Sequence, residues 1–130
     1  MNTLEEIKQY FADDKFATLQ AGAEILEASD QHSLVTLEVK DYHKNARGGV
    51  MGGAIYTLAD FAFAVAANCG GNATVTVTAS ISYLKPVKGT KLFAKAKAIK
   101  EGRSMVFYEI TVTDDLGTDV AIMNVTGTHV

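Results

Sequence analysis

The chain has 130 residues, 48% of them hydrophobic, and a formal net charge of −3. That length fits one domain with a modest core, and that hydrophobic content excludes a disordered chain. The slight acidic balance gives no general attraction for nucleic acid or an anionic membrane, and a single cysteine, Cys69, excludes an intrachain disulfide and is compatible with a reducing cytoplasm.

In chain order, "TLEE" at Thr3–Glu6 forms a capping box, and Leu4, Ile7 and Phe11 follow at helical spacing. They predict a short amphipathic helix ending near Asp13, followed by a brief turn carrying Phe16 and Leu19. This opening lacks the basic region and apolar run of a signal peptide, so a cytoplasmic protein is expected. Residues 1–20 form an N-terminal helical segment and residues 21–130 the main domain. "AEILEASDQHSLVTLEVK" predicts two strands around a polar turn at Ser29–His32, since Val35, Leu37 and Val39 alternate with polar neighbours. A glycine-rich polar loop, "DYHKNARGGVMGG", leads into an apolar helix from about Gly53 to Ala67, stopped by "NCGG". Its 15 residues are too few to span a membrane.

"TVTVTASISYL" alternates between a row of Val75, Val77, Ala79, Ile81 and Tyr83 and a row of small hydroxyl residues that could line a pocket. Strands at Leu92–Ile99, Met105–Thr113 and Val120–His129 follow, separated by the turns "EGRS" and "DDLG". No helical period interrupts these late strands, so they pair antiparallel rather than through crossovers. "KLFAKAKAIK" reads as an edge or outer face with gatekeeping charge.

Asp60 is the only formally charged side chain from Gly48 to Leu84. A carboxylate in so apolar a helix needs a partner or an upward pKa shift. It either caps a neighbouring element at a subunit boundary or performs chemistry. Gly52 and Gly53 at the helix start leave backbone amides accessible at the positive end of the helix dipole, suited to polarising a carbonyl, although a tight entry turn would also select them. Asn45 adds a donor and acceptor that could orient water or a substrate oxygen, but taken alone it reads as an Asx-turn residue. His43 is a loop histidine or an acid–base group. His32 and His129 show no zinc spacing, "GGVMGG" is neither a dinucleotide fingerprint nor a Walker loop, and no GxSxG elbow occurs. Cys69 has no evident histidine partner and reads as structural.

"HKNARGGVMGGAIYTLAD", His43–Asp60, resembles the H-x-N-x-x-G-x-x-H-G-G-x-x-x-x-L-x-D segment of hotdog-fold acyl-CoA thioesterases, in the phenylacetic-acid-degradation group. "ASISYLKPVKGTKLFAKAKAIKEGRSMVFYEITV" resembles the following part of the same family, so the likeness runs from about Ala23 to His129. The resemblance implies an α+β fold, a single hotdog domain with a curved antiparallel sheet wrapped around the long helix. It implies a homodimer with shared active sites, often paired into a homotetramer. It places the catalytic carboxylate on Asp60, the orienting asparagine on Asn45, the carbonyl-polarising glycine on Gly52 and a strand hydroxyl on Thr76. Met51 departs from the family's histidine and can neither titrate nor hydrogen-bond strongly.

The expected reaction is hydrolysis of an acyl-CoA to free acid and coenzyme A, with Asp60 as general base or as nucleophile. His43, Met51, Gly53, Phe61 and Tyr83 are the expected acyl and thioester contacts. Lys85, Gly102 and Arg103 are expected at the coenzyme, with Arg103 favoured over Lys88 and Lys100. Coenzyme A is part of the substrate; no metal, other cofactor, nucleic acid or membrane partner is expected. The alternatives are a non-catalytic acyl-CoA-binding hotdog module, a purely structural dimer and, in the same fold, a dehydratase, whose histidine–acid arrangement is not evident.

Overall fold

The computed structural model describes residues 1–130. Helix α1 (Leu4–Phe11) starts where the Thr3 hydroxyl accepts the Glu6 amide at 3.1 Å, and it buries Ile7 and Phe11. It ends two residues before Asp13. A π-helical turn, Phe16–Gln20, follows, with Phe16 and Leu19 exposed and only Ala17 buried.

Strands β1 (Glu24–Ser29) and β2 (His32–Glu38) form the expected hairpin, tightened by Gln31 at positive φ. A short 3-10 turn, Asp41–His43, leads to α2 (Gly52–Asn68). The four remaining strands are β3 (Thr74–Tyr83), β4 (Lys91–Glu101), β5 (Met105–Asp114) and β6 (Asp119–His129). All pairings are antiparallel, in the order β1-β2-β4-β5-β6-β3. The sheet curls around α2, as the hotdog fold requires.

The helix is the centre of the core because nearly every face of it is apolar. Leu58, Ala59, Ala62, Val65 and Ala66 are fully buried. Each large aliphatic or aromatic side chain so buried is worth roughly 1.5–3 kcal/mol. The alanines matter for a different reason: they let the sheet approach closely. Ser33 on β2 donates its hydroxyl to the Ala62 carbonyl at 2.6 Å, satisfying a polar side chain buried between strand and helix. Phe63 packs edge-on to Tyr108 with ring centroids 5.2 Å apart. It also explains Gly127, where a Cβ would lie 3.1 Å from the Phe63 ring and 2.9 Å from the Val75 carbonyl.

One strand, β3, differs from the sequence expectation, and another, β4, takes the outer-face alternative. β3 does not alternate strictly: a register shift between Thr76 and Thr78 leaves Val77 out of the ladder. Val75 and Val77 are consequently 49% and 57% exposed rather than core residues. β3 is a sheet edge, so its outer side has no neighbour within the protomer. β4, by contrast, is an interior strand, and Lys95 and Lys97 stand on the outer face while Ala94 and Ala96 face α2.

Candidate active site

α2 is covered except along one stripe, Gly53, Tyr56, Thr57, Asp60 and Ala64, whose spacing follows one helical face. Hydrophobic residues fill every other face, and Asp60 falls on the open one. The carboxylate is therefore not buried in the core, as the apolar sequence around it implied, but opens into a groove of about 450 Å³. Phe16, Ala17, Phe61 and Ala64 wall that groove, with Asp14 and Lys15 at its rim. Although Asp60 is accessible in the protomer, the wall removes enough water to push its carboxyl above the ordinary value, and the Asp14 carboxylate adds to the rise. No donor satisfies the Asp60 oxygens. Phe61 itself is buried, edge-on to Phe11 at 6.2 Å, so it forms the floor of the groove.

A second groove, about 480 Å³, lies at the start of α2 and is lined by Asn45, Gly49, Gly52, Ile55, Tyr83 and Lys85. Asn45 Oδ1 accepts the amides of Arg47 at 3.0 Å and Gly49 at 3.2 Å, so the Asx-turn reading describes its oxygen. The carboxamide nitrogen has no intramolecular partner and is a free donor beside the groove. Gly52 and Gly53, in the first helical turn, have N–H groups with no acceptor in the protomer. The Tyr83 hydroxyl donates to the Gly52 carbonyl at 2.9 Å, and its ring lies over Gly52 so closely that a Cβ there would sit 3.0 Å from Cζ. Glycine at 52 is thus required by Tyr83. Loss of solvation, then Tyr56, raises the Tyr83 phenol, keeping it a hydrogen-bond donor.

The remaining sequence candidates distribute unevenly. His43 is buried, its Nδ1 accepting the Lys40 amide at 2.8 Å and its Nε2–H donating to the Ala21 carbonyl at 2.7 Å. Both ring nitrogens hold backbone, leaving neither for a substrate. Met51 caps α2 without a side-chain bond and lines a third groove with Phe16, Tyr42, Gly53 and Thr57. Phe16 and Thr57 border both this groove and that of Asp60, so the two lie side by side. Thr76 is exposed on edge strand β3, outside these grooves. Gly102 and Arg103 sit in the β4–β5 turn, tied through Ser104 to His129, at the end of the sheet where β3 begins. Lys85 follows the other end of β3, so the two candidate coenzyme contacts lie at opposite ends of the sheet.

Sequence reasoning missed Asp14, an acid in a polar stretch with nothing to mark it. It also missed Asp114, whose role depends on two loops meeting in space.

Residues 47–121 match the thioesterase superfamily, a stretch that holds Gly52, Asp60 and Tyr83. The chain belongs to that family. It is 30% identical over 102 residues to the acyl-coenzyme A thioesterase PaaI of Escherichia coli, covering 78% of this chain and 73% of that one. The solved PaaI protein of E. coli superposes with a TM-score of 0.86 over 98% of this chain and 96% of that chain, at 24% identity, a likeness of fold. A hypothetical thioesterase protein from Streptococcus pneumoniae, solved with coenzyme A, superposes at 0.85 with 28% identity over 92% of this chain and 96% of that one. The expected hotdog thioesterase group and its fold are borne out, and the chain is a thioester hydrolase. No helix is long and apolar enough to cross a membrane.

Proposed function

We propose that the enzyme hydrolyses acyl-CoA thioesters at a site completed between two subunits, with Asn45 and Gly52 from one and Asp60 from the other. The observation that carries this reading is the division of the site within a protomer. Gly52 and Asp60 are eight residues apart on one helix, about 12 Å along its axis, and they line separate grooves. One thioester cannot reach both. The unpaired outer edge of β3, with Val75 and Val77 exposed, supports the means of completion. Antiparallel pairing of two β3 edges would continue the sheet. It would bring the Lys85 end of one strand to the Gly102–Arg103 end of the other, gathering the coenzyme contacts that one protomer holds apart. The coenzyme A bound to the S. pneumoniae neighbour supports the substrate class.

In this arrangement the thioester carbonyl oxygen faces the Gly52 N–H, whose dipole needs no reorganisation as charge develops. Ionised Asp60 removes a proton from water as the oxygen attacks the carbonyl carbon; the carbon–sulfur bond then breaks, and coenzyme A departs as the thiol with that proton. Direct attack by the carboxylate, followed by hydrolysis of the anhydride, uses the same geometry and also requires the ionised form. The Asn45 nitrogen holds the thioester or water in place. The acyl group lies in the trough running from Asp60 past Phe16 to Met51, where the absence of the family's histidine leaves a more apolar wall. A homodimer is the minimal assembly, and a dimer of dimers in the cytoplasm is the expected form.

The test combines a thiol-release assay over short, medium, long and aryl acyl-CoAs with subunit exchange between N45A and D60A. Each parent should be inactive and exchanged hybrids should recover one intact site. Verified hybrids without turnover, or a fully active monomer, would rule out the shared site; binding without turnover across the panel would rule out hydrolysis.

A further inference from the structure

The N-terminal segment places a second carboxylate at the Asp60 groove. We propose that Asp14 moves the pH range in which the Asp60 half-site works upward, through the groove the two carboxylates share. The inference rests on the catalytic reading of Asp60.

Asp14 is held there by backbone. Its N–H donates to the Phe11 carbonyl at 2.9 Å, and its carbonyl accepts the Thr18 amide and hydroxyl, both at 3.0 Å. Phe11 in turn packs edge-on against Phe61, the residue after Asp60. This fixes the segment to the open stripe of α2. The Asp14 side chain, by contrast, makes no hydrogen bond and caps nothing, so its carboxylate has no part in holding the fold. The charged or titratable groups lining the groove are Asp14 and Lys15 from the N-terminal segment and Tyr56 and Asp60 on α2. Lys15 opposes Asp14. The net direction at Asp60 is nonetheless upward, with desolvation the larger cause and Asp14 the next. Asp14 is itself raised, by desolvation and then by Asp13. A like charge across a groove walled by Phe16, Ala17 and Phe61 is screened less than one in open water. As base or nucleophile, Asp60 works ionised, so a neighbouring anion delays the active form until higher pH.

The experiment measures kcat/KM against pH for the wild type, D14N, D14E and K15Q, alongside a carbon-13 titration of the Asp60 carboxyl in each intact protein. D14N should move the acid limb and the Asp60 titration together to lower pH. D14E, which keeps the charge, should restore both, and K15Q should not reproduce the downward shift. An acid limb and an Asp60 titration that stay at wild-type positions in D14N would overturn the proposal. If D60N retains activity, the catalytic reading of Asp60 fails instead; the carboxyl titration then still reports whether Asp14 acts on Asp60. Should D14N fail to fold, D14S provides the same comparison, since it also removes the charge, and an Asp60 titration left at its wild-type position there would count against Asp14.

Discussion

Asp60 and Asp114 are both aspartates that lose water in the fold, and the protein treats them in opposite ways. Asp114, at the end of β5, is 4% exposed and accepts the backbone amides of Lys88 and Gly89 at 2.9 Å, Leu116 at 3.0 Å and Thr118 at 2.9 Å. Desolvation is the largest single influence and raises its carboxyl, but the hydrogen bonds to Lys88, Thr118 and Gly89 act together against it. The amide dipoles win, and Asp114 lies far below the usual carboxylate range. Asp60 has no such donors, and desolvation followed by Asp14 raises its carboxyl from the ordinary value. A carboxylate saturated with amides is fixed as an anion and serves as a joint between the β3–β4 and β5–β6 loops. One left unsatisfied beside an apolar wall keeps a proton affinity that chemistry can use.

The largest effect expected from breaking this contrast is at Asp60. D60N should lower kcat by about 10²-fold or more, the usual contribution of a positioned base, while sedimentation shows the assembly unchanged. Its stability should not fall. A folded-state carboxyl raised above its unfolded value disfavours the ionised native form, so that penalty is present at neutral pH and disappears as pH drops through the raised value. A neutral amide removes it, by an amount that solvent exposure keeps small. Near-wild-type turnover in correctly assembled D60N would end the catalytic assignment.

At Asp114 the prediction inverts. D114A should cost about 2–4 kcal/mol of stability, because the buried amides lose a charged acceptor together. The sign with pH is also opposite. A depressed carboxyl contributes stability that is present above its unfolded value of about 4 and lost as pH falls toward the folded one. Denaturant titrations carried from pH 7 to about pH 2 should therefore show wild-type stability falling toward that of D114A once the pH drops below about 4. Parallel curves would mean that Asp114 is not the acid-sensitive joint.

The contrast also explains what the sequence revealed. The strands and α2 were legible because alternation and helical spacing are local patterns, and α2 differs from expectation by one residue at each end. The Asn45–Gly52–Asp60 spacing was legible through family resemblance. Asp60's position on an open stripe was not, because the residues around it are apolar for the sake of the other faces of the helix. His43 misled for a related reason: a buried histidine bonded to backbone at both nitrogens looks, in sequence, like a titratable loop histidine. β3 misled because its alternation is real but a bulge at Val77 interrupts it, and edge position is a property of the whole sheet order. Asp14 and Asp114 carried no local signal at all, since each acquires its meaning from a segment distant in sequence.

The smallest expected effect sharpens the comparison at the other half-site. Tyr83 spends its hydroxyl on the Gly52 carbonyl at 2.9 Å and its ring on the space a Gly52 side chain would need. Y83F keeps the ring and removes only the bond. If Tyr83 acts by holding the first turn of α2, the Gly52 and Gly53 amides should lose alignment with the developing oxyanion, and kcat should fall while KM stays close to wild type. One neutral hydrogen bond is worth about 1 kcal/mol, so the loss should be about threefold to tenfold. If Tyr83 instead touches the substrate through its hydroxyl, KM should rise with kcat preserved. Steady-state kinetics on one acyl-CoA separates the two, and an unchanged kcat with a raised KM would return Tyr83 to the role of a direct binding contact.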